Sequence, residues 1–330
     1  MDGNRIAARR PAFRSPARTT GPGTALLVAH EAVPGKGEDS YAYLLRKGDA
    51  LLAAFDGCGG LGAQRYGAFD GQTGAFVAAR MAAAAVMDWF SRREPLKDLP
   101  QAEPPVLEEV RAVLKAQMTR IRRGANEASA LRGSMVRSFP TTAAIALADC
   151  SRQDGFDALF LWAGDSRGYL LTPSGLRQLT RDELRGGPDA FENLYADAPL
   201  SNSVNADDEI TLSARAVRAP YPAVLFVATD GAFGYVPSPM QFEMLLLEAL
   251  EEAQSPKAWE DALARRLAAL AGDDATLVMA ILGWSDFEAL RRDFAPRRDA
   301  LRRLLPDAAR SEDRAVLEAV WADYRRDYYA

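Results

Sequence analysis

The order of its apolar segments constrains this chain more than any other feature. Short runs bounded by Gly, Pro and charge, "ALLVAH" (25–30), "YAYLLR" (41–46) and "ALLAAFD" (50–56), read as strands. Two helical stretches follow. Residues 68–92 are Ala-rich with Phe69, Phe76, Trp89 and Phe90. The next opens at Pro104 and Pro105 and carries Val106, Val110, Val113, Leu114, Met118 and Ile121 at helical spacing. Strands resume with "TTAAIALAD", "ALFLWAGDS", "YLLT", "DEITLSARAV" and "AVLFVATD". A helix pair over 239–253 and 257–271 and a last strand, "ATLVMAILG", close the pattern near residue 283. Strands in blocks and helices in pairs are not a β-α-β alternation, so a doubly wound sheet is disfavoured. Several strands are apolar on both faces, as when each sheet is covered on both sides. The expectation is an α/β (α+β) fold: a two-sheet antiparallel β-sandwich flanked by helix pairs (αββα), with a C-terminal helical extension.

Three segments are expected. Residues 1–24 carry five arginines and one aspartate among Pro, Gly and Thr, and read as a disordered basic tail. Residues 25–283 form the main domain. Residues 284–330 hold ten arginines and ten acids, with Leu317, Val320, Trp321, Tyr324 and Tyr328 on one stripe of a final helix. That stripe is expected to pack on the domain, since apolar helix faces usually find a core; a partner contact is the alternative.

Composition removes several functions. A net charge of −5 gives no nucleic-acid footprint. Cys58 and Cys150 are too few for a disulfide framework and lack zinc spacing. No apolar run reaches the roughly 18 residues of a membrane span. The N-terminus lacks the apolar core of a secretory signal, so a cytoplasmic location is expected. His30 is the single histidine, so a metal here would need oxygen ligands from the 45 acids, which favours magnesium or manganese over zinc.

Gly57, Gly59 and Gly62 spell a G-x-G-x-x-G after a strand. A dinucleotide turn needs a following helix that returns to a parallel strand and an acid roughly 20 residues on. Here helix follows helix, so the match is accidental and an oxidoreductase is disfavoured.

The informative pattern is an acid at a strand end, repeated. Asp56-Gly57, Asp165 and Asp230-Gly231 follow apolar strands; Asp273-Asp274 and Glu38-Asp39 precede them. Each Asp-Gly alone is an ordinary turn pair. A half-buried carboxylate, however, is costly unless it is paired or bound to a cation. Several at one sheet edge build an oxygen-ligand site for hard divalent ions, and glycine lets the backbone approach closely.

The ordered set "GEDS" (37–40), "DGCGG" (56–60), "PTT" (140–142), "GDSR" (164–167), "TDG" (229–231) and "DDAT" (273–276) resembles the PPM family of metal-dependent Ser/Thr protein phosphatases, the phosphatase 2C type. The resemblance implies two Mn2+ or Mg2+ ions. Asp56 would bridge them, the Gly57 carbonyl and Glu38 would hold one, and Asp230 and Asp273 the other. Asp39 would support bound water, and Asp165 would shape its loop. It implies hydrolysis of phosphoserine or phosphothreonine by direct attack of metal-bound hydroxide, with no nucleophilic Ser, Cys or His. The implied partners are phosphorylated proteins and a cognate Ser/Thr kinase; the excess of Arg over Lys is associated with GC-rich bacteria.

The chain departs from the pattern in places. Pro34 stands where many members carry a phosphate-gripping Arg, leaving Lys36 as the nearest cation and a candidate substitute. Gly37 replaces an Asn, Cys58 a His found in some members, and Asp274 the Asn of the last motif. Arg137 lies near the position of an Asp used for a third ion, so a third site is not expected. Segment 185–203 is expected to be a flap beside the site that sets substrate choice. The alternative function is a catalytically weakened, phosphatase-like domain that binds a partner.

Overall fold

The computed structural model describes residues 23–125, 137–187, 189–196, 198–305 and 313–329. The basic tail falls outside these residues up to position 22, and Thr24 already opens the first strand.

Two five-stranded antiparallel sheets face each other. One has the order β1-β12-β11-β8-β9, built from β1 (Thr24–His30), β12 (Ala275–Leu282), β11 (Ala223–Ala228), β8 (Arg167–Thr172) and β9 (Gly175–Gln178). The other has the order β10-β7-β6-β3-β2, from β10 (Ser213–Pro220), β7 (Gly155–Ala163), β6 (Ala143–Asp149), β3 (Asp49–Phe55) and β2 (Ser40–Arg46). A small hairpin of β4 (Arg65–Tyr66) and β5 (Gln72–Thr73) follows the one-turn helix α1 (Gly59–Gly62). Helices α2 (Gly74–Arg92) and α3 (Leu99–Ala125) cover the second sheet, and α4 (Pro239–Glu252) and α5 (Pro256–Leu270) the first. Helices α6 (Phe287–Leu304) and α7 (Arg314–Tyr328) extend that outer layer. No described helix is long and apolar enough to cross a membrane.

The two-sided burial follows from the strand period of two. In β3, Leu51, Ala53 and Phe55 pack under α2 and α3, while Ala50, Leu52 and Ala54 face the opposite sheet. In β11, Val224, Phe226 and Ala228 face the helices and Leu225 and Val227 the facing sheet. The αββα expectation therefore holds. The apolar stripe of α7 is buried on the same core, at Leu317, Trp321, Tyr324 and Tyr328.

Three boundaries differ from the sequence reading. The helix expected from residue 68 begins at Gly74, because Asp70 and Gly71 turn the chain with φ of 55° and 75° and the Thr73 hydroxyl caps the helix by accepting from the Phe76 amide. Helix α3 starts ahead of its prolines, at Leu99; Pro104 and Pro105 leave unbonded only carbonyls of the exposed first turn. The strand expected at 208 starts at Ser213, because the Asn205 side chain accepts from the Asp207 and Asp208 amides and holds a turn there.

Candidate active site

Antiparallel pairing gathers the strand-end acids at one end of the sandwich. Ser40 pairs with Phe55, so Asp39, just before β2, lies beside Asp56, just after β3. Ala228 pairs with Leu277 and with Arg167, which brings Asp230, the Asp273-Asp274 turn and the Asp165 loop together.

The threonines of the motifs fix this arrangement. Asp56 donates its amide to Thr142 Oγ1 at 3.2 Å, and its carbonyl accepts from the Thr142 amide and from Thr141 Oγ1, both at 2.8 Å. Thr142 Oγ1 also bonds Ser166 Oγ at 2.6 Å, tying Asp56 to the Gly164–Arg167 turn. Thr229 Oγ1 donates to Asp39 Oδ2 at 2.8 Å and accepts from the Thr276 amide at 2.8 Å. Glu38 accepts from the Thr73 hydroxyl. Two glycines are required by space: a Cβ on Gly57 would sit 2.7 Å from the Ala75 carbonyl oxygen, and one on Gly231 would run into the Asp274 backbone.

The electrostatics are those of a charge cluster short of cations. Burial, then the charges of Asp230, Asp39, Asp165 and Asp273, push the Asp56 carboxyl far above the usual carboxylate range. Burial raises Asp39 to about 7 against the hydrogen bonds of Thr229 and Thr276, with Asp230 and Asp274 adding to the rise. Burial, Asp230 and Asp182 raise Asp165 to about 7. Asp230 is raised by burial and by Asp273, and Glu38 by burial and by Asp274 and Asp273. Asp39 Oδ1 is buried with no hydrogen-bond partner. Burial and the neighbouring Asp56 push the Cys58 thiol up as well, which disfavours its thiolate.

Asp273 and Asp274 divide their work. Asp274 Oδ1 accepts from the Ala32 amide at 2.9 Å and its Oδ2 from the Glu38 amide at 2.6 Å, so it pins the loop that carries Glu38. Asp273 accepts from the Asp274 amide at 2.8 Å. Lys36 is exposed on the 31–37 loop. Arg137, near the position of the Asp used for a third ion, pairs with Asp208 at 3.0 Å.

Two arginines lie near the acids, one of them, Arg80, outside every motif of the sequence. Arg80 of α2 stacks on Phe76 with its guanidinium 3.5 Å from the ring centre, donates to the Gly37 carbonyl at 2.9 Å, and lies in the field of Glu31, Asp274, Asp39 and Glu38. Nothing in an Ala-rich helix marks it. Arg167, the last residue of "GDSR", forks onto Asp182 at 2.9 and 2.6 Å and lies 4.1 Å from the Phe233 ring centre. It is committed to the flap.

Oxygen donors, a buried carboxylate oxygen lacking a partner and mutually repelling acids fit hard divalent cations. Among the described residues no three His, Cys, Asp or Glu side chains close into a ready-made cage. An ion held here would keep part of its shell as water, as magnesium does.

Fold and site together define an α/β sandwich whose strand-end carboxylates suit divalent cations. The chain belongs to the protein phosphatase 2C family, whose model matches residues 29–280, and it is a phosphoprotein phosphatase by that membership. Among solved structures it is similar to the serine/threonine phosphatase Stp1 from Staphylococcus aureus, with 17% identity, a TM-score of 0.59, and coverage of 81% of this chain and 99% of that one. It is also similar to the Mycobacterium tuberculosis serine/threonine phosphatase PstP/Ppp, with 21% identity, a TM-score of 0.55, and coverage of 80% and 100%. A catalytic domain of PstP described in complex with two manganese ions matches with 17% identity, a TM-score of 0.53, and coverage of 79% and 98%. No curated protein matches the chain by sequence.

Proposed function

We propose that this chain hydrolyses phosphoserine and phosphothreonine in proteins with two Mn2+ or Mg2+ ions held by Asp56, the Gly57 carbonyl, Glu38, Asp230 and Asp273. The observation that carries this reading is the cluster of half-buried carboxylates, Asp56 at its centre, whose pKa values are raised first by burial and then by one another's charge. The PstP domain with two manganese ions supports the choice of metal. When bound, such ions supply a water acidified to act as nucleophile near neutral pH and positive charge against the phosphoryl oxygens.

The chain's own groups do the positioning. Thr141 and Thr142 fix the Asp56 backbone and so the place from which its carboxylate projects. Thr229 holds one oxygen of Asp39 and leaves Oδ1 to accept a hydrogen bond from water. Asp274 and Arg80 hold the Glu38 loop from two sides. Lys36 on that loop offers a mobile point charge to a substrate phosphate, without the planar fork of an arginine. The substrates are phosphoproteins, with a cognate Ser/Thr kinase as the opposing enzyme.

The test is turnover of p-nitrophenyl phosphate and of a phosphothreonine peptide with Mn2+. The reading predicts hydrolysis of both, abolished by EDTA; full turnover in EDTA contradicts it.

A further inference from the structure

The described residues of the flap, read as 185–203, and the segment 182–184 that leads into it are held from two sides. On the side of the acids, the Glu183 amide donates to the Gly164 carbonyl at 3.0 Å and Glu183 Oε2 accepts from the Gly164 amide at 2.9 Å. Asp182 takes the Arg167 fork and accepts from Asn193 Nδ2 at 2.8 Å. Tyr195 Oη donates to the carbonyl of Pro237, on the loop that follows Asp230, at 2.8 Å.

On the opposite side the flap rests on α7. The Ala190 amide donates to Tyr329 Oη at 2.6 Å, and Trp321 Nε1 donates to Asp189 Oδ1 at 3.2 Å. The Trp321 and Phe191 rings stack with centres 6.1 Å apart and planes 22° from parallel. Arg314 pairs with Glu192 at 2.8 Å and lies 4.7 Å from the Tyr195 ring centre. Ala190 joins the two sides: its carbonyl accepts from Arg167 at 3.2 Å while its amide is held by Tyr329. Helix α7 is itself anchored in the core. Tyr324 Oη donates to Glu243 Oε2 at 2.6 Å, the carboxylate that also takes the Arg297 fork, and Tyr328 Oη donates to Gln178 Oε1 at 3.1 Å. These residues of α7 and its C-cap Tyr329 lie beyond position 280, where the family match ends.

We propose that α7 is a brace for the flap, with Tyr329 and Trp321 as positioning residues that set how the chain of a phosphopeptide lies across the site. This rests on the phosphatase reading. Seven residues of flap, 189–195, are held between a rigid helix and the Arg167 turn. Loosening the helix side leaves the carboxylates in place and changes the surface that a peptide longer than its phosphoryl group must meet. A small aryl phosphate does not reach that surface.

The test uses the full chain and three variants. Tyr329→Phe removes one hydroxyl, Trp321→Phe keeps an aromatic ring and loses the bond to Asp189, and Arg314→Ala removes the half-exposed pairs to Glu192 and Glu318 and the contact with the Tyr195 ring, so it should also speed exchange of the flap amides. The first readout, independent of activity, is hydrogen exchange. The Ala190 amide should exchange roughly 5- to 10-fold faster in Tyr329→Phe, by the usual worth of one hydrogen bond, with the neighbouring flap amides following. The second is kinetic: KM for a phosphothreonine peptide should rise severalfold with kcat nearly unchanged, while p-nitrophenyl phosphate kinetics stay at the parent values. Unchanged flap exchange in Tyr329→Phe and Trp321→Phe overturns the brace. Parallel loss of kcat on both substrates overturns the positioning role. A parent protein inert on both substrates, with flap exchange still responding, overturns the phosphatase reading and supports the brace.

Discussion

Asp182→Asn tests whether Arg167 is a structural cation. The Arg167 and Asp182 side chains are 3% and 1% exposed, and the pair is joined by a two-bond fork. Burial works against the Arg167 charge, and Asp182 outweighs it by attraction and hydrogen bonding. Asparagine keeps the volume, so no cavity opens; it removes the charge and turns one oxygen that accepts from Arg167 and from Gln178 or Asn193 into a donor facing them. Leaving one member of a buried pair uncompensated costs about 3–5 kcal/mol. At roughly 2–4 °C per kcal/mol for domains of 150–250 residues, and less for a larger chain, Tm should fall on the order of 10 °C. The assay is thermal unfolding by circular dichroism in EDTA, so that metal binding does not enter. The double variant Arg167→Met, Asp182→Leu should recover part of the loss, since an apolar pair replaces the ion pair at little cost while the Gln178 and Asn193 amides lose their acceptor. A Tm change under about 2 °C for Asp182→Asn, or a double variant less stable than the single one, would refute the reasoning.

The other predictions concern the candidate site itself. Asp56→Asn should lower kcat by about 100-fold or more while raising Tm in EDTA, because one repelling carboxylate is gone; near-parental turnover would remove Asp56 from the site. Asp39 and Asp165 are lifted from 3.8 to about 7, so the folded chain binds their protons more tightly than the unfolded chain. Their contribution is therefore fully present below about pH 4 and lost as pH rises through 7. Tm in EDTA should accordingly fall between pH 5 and pH 8 and Mn2+ should flatten that slope, whereas a Tm rising with pH would contradict the charge cluster. Lys36→Ala should raise KM for a phosphopeptide more than it lowers kcat; unchanged kinetics would leave the phosphate to the ions and other cations.

The sandwich was legible because both faces of its strands are covered, which turns "AVLFVA" and "TLVMAIL" into unbroken apolar runs that no amphipathic helix would carry. The acids were legible because they sit where those runs stop, and antiparallel pairing places such stops together. Element starts were less so. The capping of α2 by Thr73 and the turn at Asn205 depend on side-chain-to-backbone bonds that a hydrophobic pattern does not register. Arg80 and the α7 brace were hidden for another reason. Arg80 meets Gly37 across 43 residues and Tyr329 meets Ala190 across 139, and periodicity within one helix says which face is apolar but not what it touches. Burial of the α7 stripe was anticipated; the polar ends of its aromatic rings reaching the flap were not, because a Trp or Tyr reads first as apolar area.

The most direct test of the central claim is the Mn2+ stoichiometry of the full chain by titration calorimetry, compared with Asp56→Asn and Asp230→Asn at neutral pH. The account predicts about two tight ions per parent chain, proton release on binding as the raised carboxyls ionise, and at most one ion in either variant. A parent chain that binds no Mn2+, or variants that bind as the parent does, would contradict the assignment of the strand-end carboxylates as the metal centre.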